Sequence, residues 1–335
     1  MRQVPTLSAL FLILTLLFPV MSSCQQGHDQ KEQADTPPAW TDTTFLRLAL
    51  TPSAENLPFY MAERLGLFEQ CGVSVLIETY AAAADCDTSF TGISADAIST
   101  DLVKAQRLYA NGFPLRITSA TDMTLFLLTS RQARILKPES MKEKVIAISR
   151  HSASDFFLDQ TVNNAKMESE QVNKPQINNL RLRSQMLDQN QYDGAILPEP
   201  YATLSETNGA HRIASTQDPP AALGAVCFKQ AFIERRAADV EHFYQAYDMA
   251  VDSINAWISH RRTLDLMAIL PAGITINDTA AADTLLRIDL FNHASAPSTE
   301  SMEQTLKWAK GRKLIINQAD FKDMIIAVPR QSASK

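Results

Sequence analysis

The sequence predicts an α/β protein made of two lobes, and three observations support this prediction. Short apolar runs typical of β-strands alternate with helical segments from residue 45 to residue 258. The chain has 335 residues, so two lobes are favoured over one oversized sheet. Hydrophobic residues make up 45% of the chain, which is enough to fill a core in each lobe. Because a helix follows most strands, the sheets are expected to be largely parallel.

The amino-terminal segment is typical of a secretory signal. Arg2 is followed by an apolar run of 14 residues over 7–20, whereas a membrane-spanning helix needs about 20. Two serines then precede Cys24 in a pattern that resembles a bacterial lipobox. This resemblance implies removal of residues 1–23 and acylation of Cys24, for example with palmitate. An ordinary signal followed by an incidental cysteine is the alternative.

The segment after the signal is expected to act as a spacer. Residues 24–44 are polar and contain prolines, which favours a flexible tether between the lipid and the folded part.

The remaining cysteines are Cys71, Cys86 and Cys227. A compartment outside the cytoplasm permits a disulfide between any two of them, and three buried thiols are the equally open alternative.

The first half of the chain alternates regularly between strands and helices. A helix is predicted over 58–68, because apolar residues recur at i, i+4 and i+7 from Met61. Asp87 and Thr88 are expected to cap a short helix. Strands are predicted over 45–50, 73–79, 96–100, 115–119 and 124–129, and a further helix over 101–110.

The second half continues this alternation and ends in helices. Apolar residues from Val240 to Ile258 form one continuous helical stripe, which indicates a helix packed on the core. Strands are predicted over 145–149, 177–183, 194–197 and 223–228, with helices over 154–162 and 184–189. Further helices are predicted over 264–270, 280–291 and 302–310.

Charge and motifs exclude several classes of function. The formal net charge of −6 argues against nucleic acid as a partner. The six histidines show no metal-ligand spacing and the sequence has no CxxC, so neither a metal nor a cofactor is expected. The sequence also lacks the motifs of phosphate loops, dinucleotide folds and hydrolase nucleophiles, so no enzyme activity is expected.

Five stretches carry a family resemblance by their order and spacing over residues 45–260. They are PSAENLPFYMAERLGLFEQCGVSVLIE, GISADAISTDLVKAQRLYANGFPLRITSATD, MKEKVIAISRHSASDFFLD, NQYDGAILPEPYATL and AVCFKQAFIERRAADVEHFYQAYDMAVDSINA. Together they resemble the nitrate, sulfonate and taurine type of ABC-transporter substrate-binding protein, in a superfamily that also includes binders of thiamine precursors. The resemblance implies a two-lobed periplasmic-binding-protein-like fold of type II with the ligand cleft between the lobes. It places lobe one at 45–123 plus 224–335 and lobe two at 124–223.

Candidate ligand contacts are polar residues that follow predicted strands. In open α/β sheets, ligands bind beyond the carboxyl ends of strands, where helix N-termini offer unpaired N–H groups. Helix capping, solvent exposure or a surface turn is the alternative role for these residues. The candidates are Ser53, Glu55, Asn56, Ser99, Thr100, Asp101, Asp122, Arg150, His151, Ser152, Ser154, Glu199 and Tyr201.

The candidates differ in the ligand that they favour. The loop after residue 149 combines hydroxyls with the Arg150 guanidinium and favours an anion. Glu55 departs from the family pattern, because its carboxylate repels an anion unless it points away. Glu199 lies between two prolines, and Tyr201 offers an aromatic wall. The two glutamates therefore keep a pyrimidine or amine-bearing ligand open beside a sulfonate or nitrate.

The expected function is that of a lipid-anchored solute-binding protein of an ABC importer on the periplasmic side. Such a monomer captures a small polar metabolite by lobe closure and delivers it to a permease in the inner membrane. One alternative is an enzyme of the same fold, similar to chorismate dehydratase or pyrimidine-precursor synthases, with Glu55 and Glu199 in acid–base roles. A second alternative is a lipoprotein that senses its ligand.

Overall fold

The structure, a computed structural model, describes residues 45–218, 221–260, 269 and 290–327. The predicted signal, the lipidated Cys24 and the tether lie outside the described residues, as do most of the helices predicted over 264–270 and 280–291. In the described part of the chain, no helix is long and apolar enough to cross a membrane.

Strands and helices alternate along the described residues. The strands are β1 Leu46–Leu50, β2 Val75–Thr79, β3 Ala97–Asp101, β4 Leu115–Thr121, β5 Leu125–Thr129, β6 Ile146–Ala147, β7 Gly194–Pro198, β8 His211–Ser215 and β9 Gly224–Lys229. The helices are α1 Leu57–Arg64, α2 Leu67–Gln70, α3 Ala83–Thr91, α4 Leu102–Ala110, α5 Ala153–Asn164, α6 Leu180–Asp188, α7 Tyr201–Thr207, α8 Gln230–Arg235, α9 Ala237–Ser259 and α10 Thr299–Gly311.

The strands form two sheets. The first has the order β2-β1-β3-β9-β4, and the second has the order β6-β7-β5-β8. The first sheet takes strands from residues 46–121 and 224–229, whereas those of the second all lie within 125–215. The chain therefore leaves the first sheet after β4 and returns to it as β9. The lobe boundaries implied by the family resemblance stay a prediction. The strands of the first sheet lie within the range predicted for lobe one, and those of the second sheet lie within the range predicted for lobe two.

The expectation of largely parallel sheets is wrong. Strand β1 pairs in parallel with β2 and β3, and β6 pairs in parallel with β7. However, β9 runs antiparallel to β3 and β4, and β5 runs antiparallel to β7 and β8. Both β5 and β9 are buried along their whole length. Their sequences are therefore nearly continuous apolar runs, which do not distinguish a parallel from an antiparallel strand.

Glycine is required where the chain returns to the first sheet. A Cβ atom on Gly224 would collide with the Thr121 side chain, because Gly224 lies directly opposite Thr121 in the antiparallel pair of β9 and β4. At the neighbouring crossing, the Leu125 N–H donates to the Thr216 hydroxyl at 3.0 Å. The pairing of Thr121 with Gly224 and the hydrogen bond from Leu125 to Thr216 therefore hold the β4–β5 and β8–β9 connections side by side.

Three local predictions differ from the structure. The strand predicted over 177–183 is wrong, because α6 begins at Leu180, with the Asn179 side chain accepting from the Leu182 N–H at 2.9 Å. Asp87 and Thr88 lie inside α3 and do not cap it. The helix predicted over 58–68 is divided into α1 and α2, because Gly66 adopts a left-handed φ of 66°.

The largest core confirms the predicted apolar stripe. Helix α9 buries its stripe against α1 and α2, and Phe243 stacks on both Phe59 and Phe68 with ring centroids 5.6 Å apart.

The three described cysteines are free thiols. Cys86 and Cys227 are buried, and burial raises the pKa of both thiols.

Candidate functional site

A small cavity lies where ionisable groups from both sheets meet. Its volume is about 80 Å³. Larger depressions of about 750 and 330 Å³ occur beside Asp122 and Phe156, but they bring together fewer buried charges. The residues that line the small cavity are Thr51, Glu55, Ala83, Asp101, Lys104, Met123, Leu125, Ser149, Ser152, Ala153, Ser154, Asn178, Leu180, Arg183 and Pro198. Four of the sequence candidates are therefore together: Glu55, Asp101, Ser152 and Ser154.

Glu55 enters the cavity from the turn that follows β1. This turn, Ala54–Asn56, is buried and leads directly into α1. The Ser53 hydroxyl donates to Glu55 Oε1 at 2.7 Å, and the Asn56 amide donates to the Thr51 carbonyl at 2.9 Å. Burial raises the pKa of Glu55 to about 7, although the Ser53 hydrogen bond opposes the shift. Ser53 and Asn56 thus hold the turn, and Glu55 faces the cavity.

Asp101 reaches the cavity from the end of β3. Its carboxylate caps α4 by accepting from the Lys104 N–H at 3.0 Å. Burial raises the pKa of Asp101 to about 6, and the Lys104 charge and the Ala153 N–H oppose this shift. Lys104 itself forms an ion pair of 2.7 Å with Asp87. Asp101 therefore contacts helix N-termini on both sides of the cavity.

The loop between β6 and α5 lines the opposite wall. The hydroxyls of Ser152 and Ser154 both donate to the Ser149 carbonyl, at 2.6 and 2.9 Å. The Ser154 hydroxyl also accepts from the Ser149 N–H at 2.9 Å. These two hydroxyls hold the loop in shape, and their protons are directed into the loop and away from the cavity.

Arg150 and His151 are not among the residues that line the cavity. Arg150 is exposed. His151 adopts a left-handed φ of 58°, its N–H donates to Asp155, and its carbonyl accepts from Arg107 Nη1 at 3.0 Å. Burial and nearby arginines lower the pKa of His151. In this conformation, His151 joins the α5 loop to α4 across the cleft.

The charge of the Glu199 carboxylate is balanced by Arg212, which lies on β8 of the second sheet. Arg212 donates to Glu199 Oε1 at 2.9 Å, and the Thr203 N–H donates to Oε2 at 3.0 Å. Burial still raises the pKa of Glu199, with Arg212 acting in the opposite direction. The Glu199 carbonyl accepts from the Ala54 N–H at 2.9 Å, which links α7 to the turn that carries Glu55. Tyr201 is buried at the start of α7.

The remaining candidates lie in strands or beside the connections between the sheets. Ser99 and Thr100 are buried in β3 and pair with β9. The Asp122 carboxylate accepts from the Asn292 backbone at 2.9 Å and from its side chain at 2.6 Å. None of these three residues lines the small cavity.

Sequence reasoning missed Arg183, the most deeply buried cation of the cavity. Its side chain is 2% exposed and donates to the carbonyls of Ile177 and Ile196. Burial lowers the pKa of Arg183 to about 9. The strand predicted over 177–183 hid this residue, because only a helical register turns Arg183 towards the cavity. The capping signal at Asn179 was the sequence feature that could have revealed it.

A second set of contacts joins α5 to α10 beside a depression that shares no residue with the small cavity. The Trp308 Nε1 donates to Asp159 Oδ2 at 2.8 Å, and Arg312 Nε lies 3.5 Å from the same oxygen. Trp308 also packs edge-on against Phe156, with ring centroids 5.7 Å apart. Burial raises the pKa of Asp159, but hydrogen bonds from Lys174, Ser169 and Trp308 together outweigh it and lower the pKa, so the charge of Asp159 is well compensated.

Solved structures define the class of protein to which this fold belongs. The alkanesulfonate-binding protein SsuA from Xanthomonas axonopodis pv. citri, bound to MOPS, is 12% identical at a TM-score of 0.72, over 86% of this chain and 99% of that one. A Candida albicans gene product with the generic periplasmic binding protein fold is 12% identical at a TM-score of 0.65, over 85% and 96%. The nitrate-binding protein NrtA from Synechocystis PCC 6803 is 12% identical at 0.59, over 68% and 66%. The chain therefore has the periplasmic binding protein fold, as predicted.

The family follows from the sequence match. A family model described as NMT1/THI5 like matches residues 53–256, more than half of the chain, so the chain belongs to this family. No curated protein sequence matches the chain. Because the structural relatives include sulfonate- and nitrate-binding proteins, the resemblance predicted from the sequence is confirmed.

Proposed function

We propose that the chain is a periplasmic solute-binding protein of an ABC importer that captures a small polar metabolite in the cavity. The observation that carries this proposal is the convergence of Glu55 and Asp101 from the first sheet with Arg183 and the α5 loop from the second. A cleft that buries charged groups from two sides suits recognition of a polar ligand. Membership of the NMT1/THI5-like family and the sulfonate- and nitrate-binding relatives support the same function.

Closure of two lobes over the ligand is part of this proposal. Hydrogen bonds cross the cleft at Ala54–Glu199 and at Arg107–His151, and a hydrogen bond from Trp308 to Asp159 joins α10 to α5. Opening the cleft requires these contacts to break, whereas a bound ligand adds new bridges between the same walls. Lobe one over 45–123 plus 224–335 and lobe two over 124–223 are the units that we propose to move.

The test of binding is a thermal-shift screen of the purified chain. The compounds are sulfonates, nitrate, thiamine precursors and amino-acid-like molecules, each at a series of concentrations. A ligand present at 100 times its Kd stabilises the folded state by about 2.7 kcal/mol, which raises the Tm by roughly 4 °C for a chain of this size. Absence of a shift with every class contradicts the proposal. Conversion of a compound to product would instead support the enzyme alternative.

We also propose that Cys24 carries a lipid and that residues 24–44 tether the folded part to the membrane, with a permease of the inner membrane as the partner. The observations behind this proposal are the apolar run over 7–20 and its position before Cys24. In a bacterial host, the wild-type chain should partition with membranes and Cys24→Ala should not. Equal partition of both proteins would refute the anchor. Ligand uptake that depends on a co-expressed permease would separate transport from sensing.

A further inference from the structure

Glu55 is the cavity carboxylate whose charge no described side chain neutralises. It is 6% exposed, and its one side-chain partner among the described residues is the Ser53 hydroxyl. The other acidic groups nearby differ, because Asp101 lies beside Lys104 and Glu199 forms an ion pair with Arg212. The raised pKa of Glu55 has desolvation as its largest cause, with no contribution from a neighbouring cation. Gaining a proton or a positive partner therefore stabilises this buried carboxylate beyond what its hydrogen bonds supply.

Arg183 presents the complementary case on the other wall. Its guanidinium makes three hydrogen bonds, two to the Ile177 carbonyl and one to the Ile196 carbonyl. Because a guanidinium carries five N–H groups, two remain after these bonds. Within the described part of the chain, Arg183 forms no ion pair, and desolvation is the cause of its lowered pKa. The two opposite charges line one cavity and do not pair with each other.

We propose that Glu55 is the specificity-determining residue of this cleft and binds a protonated nitrogen of the ligand, while Arg183 binds an oxyanion of the same molecule. The inference rests on the proposed solute-binding function and narrows the ligand to small zwitterions. A molecule with both charges supplies each buried group with its missing partner, whereas a simple anion leaves Glu55 uncompensated.

The size of the cavity restricts the ligand to small molecules. A volume of about 80 Å³ equals that of two or three waters at about 30 Å³ each, so the cleft must open further to admit even a three-carbon amino acid or a two-carbon aminosulfonate. Glu55 and Arg183 both line this cavity and come from opposite sides of the cleft, so one small molecule with two opposite charges can contact both.

The test uses pairs of compounds that differ only at the nitrogen. β-Alanine is compared with 3-hydroxypropionate, and taurine with isethionate, by calorimetry and thermal shift on the full chain. The hydroxyl keeps the shape and the hydrogen-bonding capacity but removes the positive charge. The wild-type protein should prefer the zwitterion of its better-bound pair by about 10- to 100-fold, the value of a charge-assisted hydrogen bond.

Two variants assign the preference to one residue. Glu55→Gln should reduce the ratio of zwitterion to hydroxyl affinity to near one, because the amide keeps the shape and loses the charge. Glu199→Gln is the matched control and should retain the ratio, because Arg212 already neutralises that carboxylate. The ratio is insensitive to a general loss of stability, since both compounds of a pair bind the same protein.

The outcomes separate the inference from the function on which it rests. A wild-type protein that binds the hydroxyl compound as well as the zwitterion, or a Glu55→Gln variant that keeps the preference, overturns the inference and leaves solute binding intact. If every ligand found in the wider screen lacks a protonated nitrogen, the inference is also overturned and solute binding is left intact. A protein that binds nothing in either screen refutes the proposed function, and the inference with it.

Discussion

The buried carboxyl of Glu55 makes the stability of the ligand-free protein depend on pH in a predictable way. Burial raises its pKa from 4.5 to about 7, so the folded state binds this proton more tightly than the unfolded state. Below the unfolded pKa, both states are protonated and the group carries no penalty. As the pH rises from 4.5 towards 7, ionisation favours the unfolded chain and stability is lost. Above pH 7 the penalty is constant.

Glu55→Gln should therefore stabilise the protein at pH 8 and change it little at pH 5. The shift from 4.5 to about 7, at 1.36 kcal/mol per pKa unit, amounts to about 3 kcal/mol at pH 8 and to less than about 1 kcal/mol at pH 5. A glutamine mimics the protonated acid and still accepts from Ser53. For about 290 residues from position 45 onward, the gain at pH 8 raises the Tm by roughly 5 °C. Asp101 titrates in the same range in both proteins, so it cancels in the difference.

The assay is urea denaturation of both proteins at pH 5 and pH 8, followed by circular dichroism without ligand. Glu303→Gln on the exposed face of α10 is the control, and it should leave both curves unchanged. A gain of the same size at both pH values would show that the effect comes from packing and not from charge. Lower stability of Glu55→Gln at pH 8 would mean that the carboxylate is compensated in the folded state, which refutes the reasoning.

Three further predictions follow from other contacts of the described residues. Trp308→Phe keeps an aromatic ring but removes the indole N–H that donates to Asp159, so stability in urea should fall by about 1–2 kcal/mol. Arg212→Gln leaves the Glu199 carboxylate buried without its cation, and unfolding should become easier by about 3–5 kcal/mol at pH 8 but by less at pH 5, where the acid can protonate. Of the three described cysteines, Cys71 should be modified first by a thiol reagent under native conditions, and the two buried thiols only after unfolding, as mass spectrometry would show.

The order of elements could be predicted from the sequence because each element carries its own pattern. The strand predicted over 45–50 is β1, and the helix with the Val240–Ile258 stripe is α9. These patterns depend on burial of one face or of both faces, which is a local property of the chain. Strand β8 was not predicted, because its five residues are half-exposed or exposed and lack a continuous apolar run.

The site was harder to predict because its charged residues are distant from one another in sequence. In addition, one of them lies in a helix that the sequence pattern predicted to be a strand. Arg212 lies on β8, so the missed strand also concealed the cation that neutralises Glu199. Arg183 was placed in a strand, where its orientation towards a cavity cannot be inferred. Strand ends and helix starts did locate Glu55 and Asp101, since both positions follow directly from the βα connections.

The two glutamates that the sequence grouped together are in opposite electrostatic states, and this difference decides what the cavity can hold. Glu199 is part of a complete charge pair, so it contributes little net field to the cleft. Glu55 and Arg183 line one cavity, and neither forms an ion pair with any described residue, so the site keeps a positive and a negative charge apart. An isolated anion satisfies Arg183 but must lie near the Glu55 carboxylate, which at neutral pH it can do only if Glu55 takes up a proton. Binding of a simple anion should therefore weaken as the pH rises above 7, whereas binding of a zwitterion should not, because its ammonium group stabilises the ionised carboxylate.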